Sequence, residues 1–184
     1  MAGCGDESDG NEEQAASYRV AVPHATFPER QQLAQHVELR IAVRNTGRRT
    51  IPNVAATLQT GGSGGTAADA FGSRSDEPGL SSRSRPVWIV DEGPFSGDTA
   101  YANTWSLGAI APGRTRSFTW SVVPVRAGRY ELRYQLFGST TGRSRLRLAN
   151  GAAPRGSFTV TVSGRAPQTR ITPDGRIVRV PPKA

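Results

Sequence analysis

Hydrophobic and polar residues alternate along most of the chain. In the segment HVELRIAVRNTG, the side chains of Val37, Leu39 and Ile41 fall on one face of an extended strand, and charged side chains fall on the other. The segments RSFTWSVVPV, RYELRYQLFG and RGSFTVTVSG repeat the pattern. Because successive side chains of a strand point to opposite faces of a sheet, this alternation predicts half-buried antiparallel strands and almost no helix.

Turn sequences separate these segments. Asn45-Thr46-Gly47, Pro112-Gly113 and Asn150-Gly151 combine residues whose backbone or side chain favours a chain reversal. The segments SYRVAVPH, NVAATLQT and PVWIVDE are weaker strand candidates. About seven to nine short strands with this spacing of turns predict an all-β fold, an antiparallel β-sandwich, over a helical or mixed fold.

Three regions differ in composition. Residues 1–16 hold five acids and no base, and are too polar to bury a core, so we expect a disordered tether. Residues 17–164 form the predicted sandwich, interrupted by a long loop at 61–84 where function is worth seeking. The basic tail, residues 165–184, contains Pro173-Asp174-Gly175, which could turn a small hairpin.

The single cysteine, Cys4, follows Ala2-Gly3 and precedes the acidic stretch. This arrangement resembles the end of a bacterial lipobox, in which the cysteine receives diacylglycerol. The resemblance implies a chain attached to the membrane by a lipid on Cys4, at the outer, extracytoplasmic face of the cell membrane. The alternative is an accidental cysteine in a disordered cytosolic tail. One cysteine excludes an intramolecular disulfide and a cysteine-based zinc site.

Two stretches resemble the bacterial Ig-like domains of the CARDB (cell-adhesion-related) kind. They are LRIAVRNTGRRTIPNVAATL and WSLGAIAPGRTRSFTWSVVPVRAGRYELRYQL, whose motif positions are Asn45-Thr46-Gly47, Ala111-Pro112-Gly113 and Gly128-Arg129-Tyr130. We expect Gly47 to adopt a positive φ and Tyr130 to anchor its hydroxyl on a corner backbone group. The resemblance implies an Ig-like sandwich that serves, without catalysis, as a protein or carbohydrate binding or adhesion module at the cell surface.

The segment 86–107 is the best candidate for a recognition surface. Flat rings beside polar acceptors suit sugar rings or the anchor residues of a partner protein. The alternative is that the two tryptophans are core residues of further strands, while the other two aromatic residues are more exposed. The candidate ligand-binding residues are Trp88, Phe95, Tyr101, Trp105, Asp91 and Asp98.

Arginine provides 22 of the 23 basic residues, and the net charge is +8. Alternation in RSRLRLA places three arginines on one strand face, which could join the tail in binding an anionic polymer, such as nucleic acid or a teichoic-type chain, or an anionic membrane. Codon bias or solvated edge charges are the alternative. No aromatic residues are interleaved for base stacking, which argues against nucleic acid as the partner. The candidate anion-binding residues are Arg143, Arg145, Arg147, Arg170, Arg176 and Arg179.

Motifs for catalysis or metal binding are not found. The two histidines, His24 and His36, have no serine or carboxylate at motif spacing, and neither a Gly-x-Ser-x-Gly elbow nor an EF-hand loop occurs. The paired acids Asp76-Glu77 and Asp91-Glu92 lie in polar segments where both carboxylates would stay ionised. We therefore predict no catalytic residue, no metal and no cofactor.

Overall fold

Two β-sheets packed face to face form the body of the molecule. The structure, a computed structural model, describes residues 16–61, 70–73, 86–94, 104–139, 144–166 and 168–180. None of these residues is helical, so the described part holds no helix able to cross a membrane. The strands are β1 (Ser17–Thr26), β2 (Arg30–Gln32), β3 (Val37–Asn45), β4 (Ala55–Gly61), β5 (Phe71–Ser73), β6 (Trp88–Glu92), β7 (Thr104–Ser106), β8 (Thr115–Pro124), β9 (Gly128–Phe137), β10 (Arg145–Arg147), β11 (Arg155–Ser163), β12 (Thr169–Ile171) and β13 (Ile177–Arg179).

The strand order separates the two layers. One sheet has six strands in the order β10-β1-β3-β8-β6-β5, and the other has five in the order β2-β11-β9-β4-β7. Strands β12 and β13 pair with each other as a hairpin in the tail region. The all-β sandwich is therefore as predicted, but its described strands outnumber the seven to nine expected. The additional strands β2, β5, β7 and β10 have three residues each, too few to show an alternating pattern.

The predicted loop at 61–84 is interrupted by a strand. Phe71–Ser73 forms β5, which runs parallel to β6 with Phe71 opposite Trp88. Phe71 is buried, and its ring lies 5.8 Å from that of Trp88. Burial of this aromatic side chain brings the segment back to the sheet edge. Residues 62–69 and 74–84 of the predicted loop lie outside the described residues.

The core lies between the sheets and consists of the inward-facing positions of the alternating segments. Leu39 is opposite Trp120 and Ile41 is opposite Phe118, and all four side chains are completely buried. The rings of Phe118 and Trp120 stack with their centroids 5.4 Å apart. Burial of such side chains, each contributing about 1.5–3 kcal/mol, is the main stabilising term of the sandwich.

Asn45 joins three chain segments at one end of the sandwich. Its side-chain amide, completely buried, donates hydrogen bonds to the carbonyls of Arg49 and Ile110, both at 2.8 Å. Its side-chain oxygen accepts from the backbone N–H of Gly47 at 2.9 Å. The expectation of a positive φ at Gly47 is wrong, since Gly47 is not among the glycines with a positive φ. The hydrogen bond to the Asn45 side chain shapes the turn instead.

Tyr130 fixes the corner between β8 and β9, as predicted from its motif. Its hydroxyl donates a hydrogen bond to the carbonyl of Ala127 at 2.9 Å. Gly128 has a φ of 149°, and a Cβ atom there would lie 2.8 Å from the Tyr130 hydroxyl. Glycine is therefore required beside the tyrosine by both backbone conformation and space.

Candidate binding surfaces

The predicted aromatic recognition surface is not formed by its tryptophans. Trp88 is completely buried and Trp105 is 6% exposed, so both rings belong to the core, which is the alternative that the sequence left open. The Trp88 ring lies 5.4 Å from Phe27, and the Trp105 ring lies 5.5 Å from Trp120. A ligand could reach neither ring without opening the sandwich. Phe95, Asp98 and Tyr101 lie outside the described residues.

Asp91, the remaining predicted ligand residue, pairs with a histidine. Its carboxylate lies 3.5 Å from Nδ1 of His36, and the two side chains are 39% and 68% exposed. An ion pair at such an exposed position, present when the imidazole is protonated, contributes about 0–1 kcal/mol to stability. The described residues hold no group of three or more potential metal ligands.

The predicted cationic residues separate into two places. Arg145 and Arg147 lie on β10, at the edge of the six-stranded sheet, whereas Arg170 and Arg179 lie on the hairpin strands β12 and β13. Arg176, before β13, pairs with Asp174 at 3.2 Å. Arg143 lies outside the described residues. Strand β10 and the tail strands belong to different sheets. The strand pairing therefore does not bring the β10 arginines and the tail arginines together in the single anion-binding surface that was expected.

Other arginines join Arg145 and Arg147 instead, and none of them is among the predicted anion-binding residues. Arg19 on β1 lies directly opposite Arg147, and Arg40 and Arg44 follow on β3, the next strand of the sheet. Together these five residues, which we call the arginine face, lie on the outer side of strands β10, β1 and β3. The alternation that places Arg40 and Arg44 outward was visible in the sequence, but the neighbouring strands were not.

A polar groove occupies the outer side of the five-stranded sheet. The strand register creates two cross-strand rows, one of Thr57, Gln135 and Arg155, and one of Gln59, Arg133 and Ser157. Phe137, half-buried, lines the same groove, whose volume is about 610 Å³. Amide, hydroxyl, guanidinium and aromatic groups thus face one cavity. None of them was among the predicted site residues, because no single segment contains the set.

An ion pair sets the charge within this polar groove. Arg133 Nη2 donates to Glu131 Oε2 at 2.7 Å. This hydrogen bond lowers the pKa of Glu131 and raises the pKa of Arg133. Both side chains therefore stay charged near neutral pH and present a fixed donor and acceptor pair to solvent.

Comparisons with known proteins identify similar structures but no matching sequence family. No family model matches the chain, and no curated protein matches it. The CARDB domain of a Pyrococcus furiosus protein, crystallised with di-metal ions, is 13% identical, with 81% of this chain and 93% of that chain covered and a TM-score of 0.45. CARDB domains, the family that the turn motifs resemble, are therefore among the structures to which this chain is similar.

Other similar structures come from unrelated proteins. The C-terminal part of Escherichia coli alpha-2-macroglobulin, from domain MG7 onward, is 11% identical, with 88% of this chain and 21% of that chain covered and a TM-score of 0.46. A cohesin module from a family 33 glycoside hydrolase of Clostridium perfringens is 8% identical, with 80% and 98% covered and a TM-score of 0.46. Identities this low concern the fold alone, since one sandwich architecture serves many functions.

Proposed function

We propose that this chain is a non-catalytic, extracytoplasmic binding module that uses the polar groove of its five-stranded sheet to bind a polysaccharide. The observation that carries the proposal is the convergence of two amides, two guanidinium groups, one carboxylate and three hydroxyl residues on one cavity beside Phe137. Sugar hydroxyls require paired donors and acceptors, and amide side chains supply both. An aromatic ring beside such groups suits the apolar face of a sugar ring.

A protein partner is the second possibility within the same function. The groove is polar and open, however, and protein interfaces gain most of their energy from buried aromatic or arginine anchors that fill pockets. The large aromatic residues Trp88, Trp105 and Trp120 are unavailable for that role because they are buried in the core. The composition of the groove therefore favours a carbohydrate.

The groove proposal predicts a loss of polysaccharide binding when its amides are removed. In the variant Gln59→Ala/Gln135→Ala, we expect the dissociation constant for a neutral polysaccharide to rise roughly tenfold or more, since each lost hydrogen bond contributes about 0.5–1.5 kcal/mol. Affinity electrophoresis in gels containing mannan, amylose or a soluble β-glucan measures the effect. The matched control Gln32→Ala/Gln168→Ala changes two exposed glutamines outside the groove and should bind like the unmodified chain. Equal migration in gels with and without every polysaccharide would reject the groove as a carbohydrate site.

We also propose that a lipid on Cys4 holds the module at the outer face of a cell membrane. The support is the Ala2-Gly3-Cys4 sequence followed by a polar acidic stretch. A diacylglycerol group attaches a folded domain to a membrane without a spanning helix.

Membrane attachment of this kind predicts a modified thiol. When the natural gene is expressed in a bacterium fed radiolabelled palmitate, we expect label on the protein and recovery of the protein with membranes. The variant Cys4→Ser should lose both the label and the membrane association, while its folded domain stays intact. An unlabelled protein that still carries a free Cys4 thiol would contradict lipidation.

A further inference from the structure

The arginine face is a dense array of positive charge on a regular sheet surface. Its five members are Arg19, Arg40, Arg44, Arg145 and Arg147. Strands lie about 4.8 Å apart and alternate outward residues about 6.7 Å apart, so Arg19, Arg145 and Arg147 each lie one such spacing from a neighbour. Arg44 is diagonal to Arg19, and Arg40 lies two spacings from Arg44, with Ala42 between them. Four of the five side chains are exposed, and that of Arg147 is half-buried.

The cross-strand neighbours of these arginines carry no neutralising charge. Arg40 lies between Thr26 and Thr119, and Arg44 lies between Ala21 and Thr115. Arg19 and Arg147 are opposite each other, an arrangement of like charges that destabilises a sheet. Among the residues that the structure describes, none of the five forms an ion pair.

Positive charge continues around the end of the sheet. Arg48 and Arg114 are exposed beside the end of β3, where the backbone carbonyl of Arg114 accepts from the N–H of Asn45 at 3.0 Å. The carboxylate on the outer row of β3, that of Glu38, is the next outer neighbour of Arg40 and lies six positions from Arg44. The positive charge is therefore strongest at the Arg44 end of β3, beside Arg19, Arg48 and Arg114.

We propose that the arginine face binds a flexible, single-chain phosphodiester polymer by its backbone charges. The planar guanidinium group matches phosphate oxygens in a two-bond geometry, and several such groups bind one polyanion cooperatively with release of counterions. A phosphodiester chain carries one charge in each short backbone repeat, which suits arginines spaced by strand and pleat distances. An alternating uronate polysaccharide carries a charge only on every second sugar ring and matches this spacing less well.

The shape and composition of the face distinguish this ligand from two others. A flat bilayer can contact either the sheet face or the end that carries Arg48 and Arg114, whereas a flexible chain can follow both. The outer positions beside the arginines include Ala21, Ala42, Thr115 and Thr119, and His24, opposite Ala42, provides the one ring among them. No Phe, Tyr or Trp ring lies at these positions to form a stacking platform for successive bases. Recognition therefore uses the backbone of the polymer and is independent of bases.

Binding of poly(glycerol phosphate) to the full chain tests the proposal. In the variant Arg19→Ser/Arg44→Ser/Arg147→Ser, we expect the dissociation constant at low salt to rise roughly tenfold or more, and the slope of log K against log salt to flatten by about 2, since each lost phosphate contact contributes about 0.7. The matched control Arg30→Ser/Arg129→Ser/Arg165→Ser removes the same charge from exposed positions elsewhere and should change the dissociation constant less than about twofold. The triple variant of the face should unfold at nearly the same temperature as the unmodified chain, because removal of the opposed pair Arg19 and Arg147 offsets the lost hydrogen bond from Arg147 to the Gly151 carbonyl at 3.2 Å.

Several results would overturn the proposal. One is an equal loss of affinity for poly(glycerol phosphate) in the two triple variants. Another is stronger binding of the protein to hyaluronate than to poly(glycerol phosphate). A third is retention of the protein by oligothymidine but not by poly(glycerol phosphate). Binding to anionic vesicles that the face variant abolishes, with no binding to the polymer, would assign the face to a membrane surface. The variant Gln59→Ala/Gln135→Ala should keep full polymer binding, so a failure of the groove proposal leaves this one intact, and the converse also holds.

Discussion

Replacing Trp88 with alanine is expected to lower the free energy of unfolding by about 3–5 kcal/mol, as for other buried tryptophans. The ring is completely buried between the sheets and contacts the rings of Phe27, Phe71 and Tyr130, with centroids 5.4, 5.8 and 5.8 Å away. Its indole N–H also donates to the side-chain oxygen of Gln31 at 2.7 Å, a bond that joins the two sheets. Urea denaturation followed by tryptophan fluorescence measures the loss.

A matched pair of phenylalanine variants separates the contribution of the hydrogen bond to stability from the contribution of the lost side-chain volume. Trp88→Phe leaves Gln31, 2% exposed, with a buried oxygen that has lost its donor, whereas the buried indole N–H of Trp120 has no partner among the described residues. Because stranding a buried polar group costs about 1–3 kcal/mol, we expect Trp88→Phe to cost that much more than Trp120→Phe. A Trp88→Ala protein as stable as the unmodified chain would contradict the core assignment and return Trp88 to the candidate ligand surface.

Replacing Asn45 with aspartate is expected to lower the free energy of unfolding by about 3–5 kcal/mol at neutral pH, the cost of burying an uncompensated charge. The substitution keeps the shape of the side chain but exchanges its NH2 group for an oxygen. That oxygen would face the carbonyls of Arg49 and Ile110, which now accept hydrogen bonds at 2.8 Å. Both carbonyls would lose their donor inside a completely buried site.

The control for Asn45 is the same substitution at an exposed asparagine. Asn150 accepts a hydrogen bond from the N–H of Ala152 at 3.1 Å, and an aspartate there keeps that acceptor. We expect Asn150→Asp to change stability by less than about 0.5 kcal/mol, as surface substitutions usually do. Similar unfolding midpoints for the two variants in parallel thermal scans would show that Asn45 does not join the three segments.

These two predictions bear on the turn motifs, which resemble those of CARDB domains. Asn45 stabilises the turn through bonds to Gly47, Arg49 and Ile110, so the Asn-x-Gly sequence has a structural role. Tyr130 and Gly128 have a similar role at the corner before β9. Motifs of this kind identify an architecture, whereas binding residues lie on outward positions that the architecture leaves free to vary.

The sequence by itself determined which side chains of the long strands are buried. Leu39, Ile41, Trp120 and Leu132 all lie in the core, because alternation assigns every second side chain to one face, and a stable sheet must bury its apolar face. It also determined the position of the turn after Asn45 and the tyrosine corner, since the bonds from Gly47 to Asn45 and from Tyr130 to Ala127 join residues two and three positions apart, whereas the bond from Asn45 to Ile110 was not predicted. Local chemistry is sufficient for such features.

Only the tertiary structure decided which strands are neighbours, and with them both candidate binding surfaces. Arg19 meets Arg147 across 128 positions of the chain, and Gln59 meets Arg133 across 74, so neither contact has a local sequence signal. The three-residue strands β2, β5, β7 and β10 likewise exist because a longer neighbour supplies hydrogen bonds to them. The burial of Trp88 and Trp105 was also decided by tertiary structure. Their segments are too short for alternation to mark the buried face, so that face is set only when the second sheet packs against it.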